Sequence, residues 1–213
     1  MRTSPLLASL LLAFSTLAHA DTLLAGSDFS AINSGVGLCP RVSDCLNAAQ
    51  QFTVFTPVVI DEIKVVVTAP NLLNGSSDGN FQVNLGSALG SFPTAIGSGD
   101  VLFDPKGGPV QEEFDFTGLD ISLAAGTYFI EMTGANVQWD HAPNLTTTPG
   151  TLGPSWLCDP TLTCSSDRWD ESQSTEAVQI DGTAITPEPS SIALFGTGLL
   201  GFAEAARRRF LKA

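Results

Sequence analysis

Val58-Val59-Ile60-Asp61-Glu62-Ile63-Lys64-Val65-Val66-Val67-Thr68, closed by Ala69-Pro70, is the stretch that decides the fold class. It is dominated by β-branched side chains, which are stiff at χ1 and suit a pleated surface better than a helix. Just before it, Gln51-Phe52-Thr53-Val54-Phe55-Thr56 alternates polar and apolar residues as a half-buried strand does, and Pro57 interrupts the pair. Downstream, period-two patterning recurs in Phe81-Gln82-Val83-Asn84-Leu85, Asp100-Val101-Leu102-Phe103 and Glu113-Phe114-Asp115-Phe116. Leu119-Asp120-Ile121-Ser122-Leu123 leads through Ala124-Ala125-Gly126 into Thr127-Tyr128-Phe129-Ile130-Glu131-Met132, two strands joined by a turn. Val137-Gln138-Trp139 and Ala177-Val178-Gln179-Ile180 complete a set of about eight to ten short strands with turn signals at the spacing of a sandwich. No stretch from 51 to 186 sustains a 3.6-residue apolar repeat, so the expectation is an all-β fold, a jelly-roll-like β-sandwich. Ser43 to Gln50 is the one segment expected to hold a helical turn, and Pro143 to Asp170 reads as a long surface loop.

The ends read differently. Arg2, the apolar run Leu6 to Phe14 and the small-x-small triplet Ala18-His19-Ala20 form a signal peptide over residues 1–20, cut by signal peptidase between Ala20 and Asp21. That apolar run is well below the ~20 residues of a membrane span. The ectodomain is then residues 21–186. It holds four basic residues (Arg41, Lys64, Lys106, Arg168) against 20 acidic ones, a net charge of −16. Such a surface repels phosphate backbones and anionic lipid, which excludes nucleic acid as a partner.

Cys39, Cys45, Cys158 and Cys164 are even in number in an exported chain, which points to disulfides. Of three connectivities, the two local ones, Cys39–Cys45 and Cys158–Cys164, are expected, each worth roughly 2 kcal/mol by loop closure. Zinc is the rival, but the C-x5-C spacing is wider than zinc sites use and no His lies near either pair.

Catalytic chemistry finds little to work with. The mature chain has a single His, His141, without a Gly-x-Ser-x-Gly elbow, and neither a Ser-His-Asp triad nor catalytic zinc can be assembled on that basis. Asn74-x-Ser76-x-Asp78-Gly79 starts like a calcium loop, but Leu85 stands where a bidentate Glu is needed. Asp167-Arg168-Trp169-Asp170-Glu171 reads as a solvated acidic loop. No catalytic residue, resident metal or cofactor is therefore expected. Trp139, Trp156 and Trp169 stand beside loops and are candidate sugar contacts, since indole faces stack on sugar rings.

Pro187-Glu188-Pro189 is followed by Ser190-Ser191, the apolar or small stretch Ile192 to Ala203, then Glu204-Ala205-Ala206 and Arg207-Arg208-Arg209. The prolines disfavour helix before them, the serines can cap one after, and three Arg act as a stop that stays in the cytoplasm. The 12 residues 192–203 reach about 18 Å against a ~30 Å hydrocarbon core, so the membrane helix takes in Ala205 and Ala206 or the bilayer thins, with Glu204 snorkelling. This order resembles the PEP-CTERM sorting signal of Gram-negative bacteria. The resemblance implies that Pro187, Glu188 and Pro189 are recognised by an exosortase-type sorting enzyme, that 192–206 is a transient inner-membrane anchor and that Arg207–Arg209 is the stop-transfer cluster. It implies a protein secreted via the periplasm to the cell surface or extracellular matrix, associated with exopolysaccharide and biofilm, and the missing catalytic set makes a non-enzymatic one the expectation. Leu123-Ala124-Ala125-Gly126-Thr127-Tyr128 is similar to a turn in ectodomains that precede this signal. The alternatives are a carbohydrate-binding module that holds exopolysaccharide through the Trp-containing loop, with or without calcium, and a polysaccharide hydrolase.

Overall fold

The strand anticipated at 58–68 runs Val58–Ala69 and sits inside a sheet. The computed structural model describes residues 22–38, 46–69, 78–102, 110–147, 149–159, 164–165, 168–185 and 197. The signal peptide with Ala20 and Asp21, the Cys39/Cys45 pair, and the tail carrying Pro187-Glu188-Pro189 and Arg207–Arg209 lie outside the described residues. Among the described residues there are twelve strands: β1 (Thr22–Gly26), β2 (Asn33–Leu38), β3 (Asn47–Val54), β4 (Val58–Ala69), β5 (Gly79–Gly86), β6 (Thr94–Val101), β7 (Val110–Leu123), β8 (Gly126–Ala135), β9 (Val137–His141), β10 (Gly150–Cys158), β11 (Asp170–Ser172) and β12 (Val178–Ala184). They form two antiparallel sheets. The first runs β1-β12-β4-β9-β2, with β7 on the far side of β4, and the second runs β11-β10-β3-β8-β5-β6.

Val58 and Ile60 face the core, and so do Ile63, Val65 and Val67. In an uninterrupted strand, residues three apart point to opposite faces, so Ile60 and Ile63 could not both face inward. Asp61 resolves the parity. Glu62 pairs with Asp181 and Ile60 with Gly182, which leaves Asp61 as an extra residue on β4, a β-bulge. On the other side Glu62 pairs with Thr117 and Ile60 with Ile121, so Gly118, Leu119 and Asp120 bulge opposite it. Gly118 and Asp120 take φ of +69° and +49°, the left-handed region that Gly and Asp tolerate best. The two strands expected at 113–116 and 119–123 are therefore one strand folded through a bulge.

Phe52, Ile130 and Met132 of the second sheet and Ile60, Ile63, Trp139 and Ile180 of the first share one buried cluster. Two sheets covering one core make a sandwich. Burying each such side chain is worth roughly 1.5–3 kcal/mol, which makes this face-to-face contact the main stabilising term.

Three sequence expectations need correction. Asn47 to Gln50 is strand, not helix, because Ala48 is paired with Met132 on one side and Leu157 on the other. Ladder pairing on both flanks outweighs the helix preference of an Ala pair. The loop expected from Pro143 to Asp170 contains β10, whose register shifts between Leu152 and Ser155, where Pro154 has no N–H to give the ladder. Finally, β1 and β2 precede Gln51, where the strand set anticipated from sequence begins.

The edge strand β6 carries Gly97 and Gly99 facing inward, opposite Val83 and Phe81. Their missing side chains leave room for rings. Phe81 meets Phe114 edge-on at 4.8 Å and Phe116 at 6.5 Å. A Cβ on Gly99 would stand 2.7 Å from both Phe114 Cε1 and Phe81 Cε1. Replacing Gly99 by Val should therefore lower stability by about 1–3 kcal/mol in urea unfolding, through overpacking. Gly126→Ala, where the new Cβ meets nothing nearer than Tyr128 Cε2 at 3.6 Å, should stay within about 0.5 kcal/mol. Equal effects at the two sites would refute the packing account.

Candidate functional site

Strand β9 alternates in the way its sequence suggests, and this sends its two chemical neighbours to opposite sides. Trp139 points into the core at 0% exposure and donates Nε1–H to the Ala177 carbonyl at 3.1 Å. Asp140 points away from the core but is still buried, because Thr68 Oγ1 and Gln111 Nε2 both donate to its Oδ2 at 2.7 Å. Burial pushes the Asp140 carboxyl above the usual carboxylate range, against the pull of those two donors.

His141, at the strand end, bridges to Glu176. Glu176 has 0% exposure, and its Oε2 lies 3.3 Å from His141 Nε2. The two groups are off a hydrogen-bond axis, so the contact is one of charge rather than of an aligned bond. Burial raises the Glu176 carboxyl, and the carboxyl in turn raises the imidazole. Gln50 holds this corner in place. Its Oε1 accepts the Glu176 backbone N–H at 2.8 Å, while its Nε2 donates to the Gly153 carbonyl at 2.8 Å inside the β10 bulge. Ser155 Oγ, fully buried, shares a hydrogen bond with Ser174 Oγ at 3.2 Å.

The three tryptophans do not come together. Trp139 lies between the sheets. Trp169, 6% exposed, covers Ala49 and Cys158 on the outer side of the second sheet and meets Phe92 at 5.9 Å, with the half-buried Trp156 alongside. The three candidate sugar contacts thus share no single surface, since Trp139 packs between the sheets and Trp156 and Trp169 in the outer cluster. Cys158 and Cys164 are joined as a disulfide, as expected, which removes them as zinc thiolates. Among the described residues no His, Cys, Asp and Glu group of three or more could hold a metal ion, and no helix is long and apolar enough to cross a membrane.

One functional candidate was invisible in the sequence. Glu131 occupies the outward parity of β8, yet it is only 8% exposed. Asn47 Nδ2 and Asn84 Nδ2 donate to its two oxygens from flanking strands, both at 3.4 Å, and burial raises its carboxyl. Nothing in a polar-apolar alternation separates this glutamate from a solvated one.

Glu131, Asp140, His141 and Glu176 all have folded-state affinities for protons above their ordinary values. A group raised in the folded state gives stability that is full below its unfolded pKa and is lost as pH rises through the folded value. The ordinary His value is 6.5, so the melting temperature should fall as pH rises from about 6 to 8. Glu176→Gln, which removes the charge that raises His141, should flatten that slope in thermal melts. A melting temperature that climbs over the same range would contradict the assignment.

No curated protein matches the chain. Residues 186–209 match the family profile of the PEP-CTERM protein-sorting motif, spanning Pro187-Glu188-Pro189, the apolar stretch and the three arginines. The chain thus carries a PEP-CTERM protein-sorting motif, the mark of an exosortase-sorted secreted protein, behind an all-β domain of two antiparallel sheets.

Proposed function

We propose that this protein is a non-enzymatic exoprotein, exported as a precursor, held briefly in the inner membrane by residues 192–206, and released by an exosortase-type enzyme at Pro187-Glu188-Pro189 to the cell surface or extracellular matrix. The match of residues 186–209 to the sorting motif carries this reading. Physical chemistry supports each part of it. Two prolines one residue apart present an extended segment that the preceding sheet cannot absorb, which suits an enzyme that must grip the backbone. Three arginines fix the orientation with the folded domain outside. The Cys158–Cys164 disulfide fits an oxidising destination.

Replacing Pro187, Glu188 and Pro189 together by Ala should leave a membrane-retained precursor whose intact mass still includes residues 187–213. Recovery of the altered protein at the surface with the mass of the normal mature form would overturn the sorting reading.

A further inference from the structure

Outward faces of antiparallel sheets are polar as a rule. The outer face of the second sheet is not simply solvated, however. Ala49, Trp156 and Glu131 share one cross-strand row of β10, β3 and β8, which Asn84 of β5 continues. Trp169 and Cys158 close over Ala49 with Leu89 and Phe92 against them, so half of the face carries a second small core that stands up as a wall. Glu131 lies at the foot of that wall. Along the open half, Gln82 pairs with Thr133 and Ser98, and Asn80 with Asp100, one and two steps further down the same face. Asn80, Gln82, Ser98, Asp100 and Thr133 line a groove of about 510 Å³ there.

We propose that this groove is a binding site for a neutral saccharide chain. The donor set selects the ligand class. Amide and hydroxyl side chains each offer a donor and an acceptor, which matches sugar hydroxyls that do both, while Asp100 accepts from ligand hydroxyls at one end. No Lys or Arg lines the groove, so an anion has no counter-charge, and its walls are too polar for an apolar ligand. The lining sits on paired strands, and from below Phe81, Phe114 and Phe116 press against Gly97 and Gly99 of β6, so little ordering cost remains on binding. Same-face neighbours on a strand are about 6.8 Å apart and adjacent strands about 4.8 Å, so the patch from Thr133 across Gln82 to Ser98 and down to Asp100 spans roughly 10 Å, room for a short oligosaccharide. The site is distinct from the three tryptophans, and it stands or falls independently of sorting, because the test is run on purified protein.

The test is titration of the purified full chain, followed by backbone amide NMR, with cellohexaose, maltohexaose, laminarihexaose and chitohexaose as probes. At least one oligomer should bind with a dissociation constant between about 0.1 and 10 mM and shift Gln82, Ser98, Asp100 and Thr133. Gln82→Ala and Asp100→Ala, both at exposed positions that should leave the melting temperature unchanged, should each weaken that binding at least about fivefold. Absence of shifts in the groove with all four oligomers at about 20 mM would overturn the proposal, as would binding that both substitutions leave unchanged.

Discussion

The sandwich depends on a parity constraint in β4. That strand supplies the first sheet with inward apolar residues on both sides of Asp61, and it can do so only because Asp61 is looped out of register with both neighbours. Without the bulge, either Val58 and Ile60 or Ile63, Val65 and Val67 would turn to solvent, removing several buried β-branched side chains at roughly 1.5–3 kcal/mol each. The neighbours accommodate it in different ways. On β12 the register shift falls at Gly182, where a Cβ would collide with the Val59 carbonyl oxygen, and on β7 it is absorbed by three residues, two of them at positive φ. Asp and Glu on β7, with no strand on its far side among the described residues, also discourage pairing with another chain at that edge.

The strands that sequence revealed are those whose two faces differ. Phe81-Gln82-Val83-Asn84-Leu85 sits between core and solvent, so its alternation is the physical boundary written in residues. The strands that escaped lack such a contrast. In β3, Ala48 and Ala49 are both buried, one under the main core and one under the outer cluster, so the pattern has no polar beat and Ala suggests helix. In β10, Gly153 and Pro154 resemble a loop because they form the bulge, and their carbonyls are met instead by the Gln50 side chain from the neighbouring strand. Buried acids are illegible for the same reason. Glu131 and Glu176 are removed from water by residues distant in the chain, and no local pattern records that. The sorting tail was readable because its tripeptide, apolar stretch and cations act as a linear address that needs no partner from elsewhere in the chain.

The charge distribution divides the acids into two populations. Most of the 20 acidic residues of 21–186 keep the domain soluble by repulsion and have few cations to meet. Lys64 is among the few that are paired, sitting 3.0 Å from Glu62 and 3.6 Å from Asp181 beside the β4 bulge, where its worth is limited by its partial exposure. Asp140, Glu176 and Glu131 instead sit where ionisation is opposed by burial. Their placement at strand ends and on outer faces, away from the main apolar cluster, keeps the central core free of charge.

The disulfide connects the destination of the protein to the shape of its outer face. Cys158–Cys164 contributes nothing to the cluster between the sheets. It lies in the small core of Ala49, Trp156 and Trp169, beside the row that ends at Glu131. A link closing so short a loop is worth roughly 2 kcal/mol, too little to decide whether a sandwich of this size folds but comparable to the burial of one large side chain. Its effect is therefore local. It ties down the wall that Trp169 builds over Ala49. In a reducing compartment that wall loses its tie while the sheets persist. The oxidising compartment that export provides completes the outer face of the second sheet, whereas the fold itself rests on the bulged strand and its apolar partners.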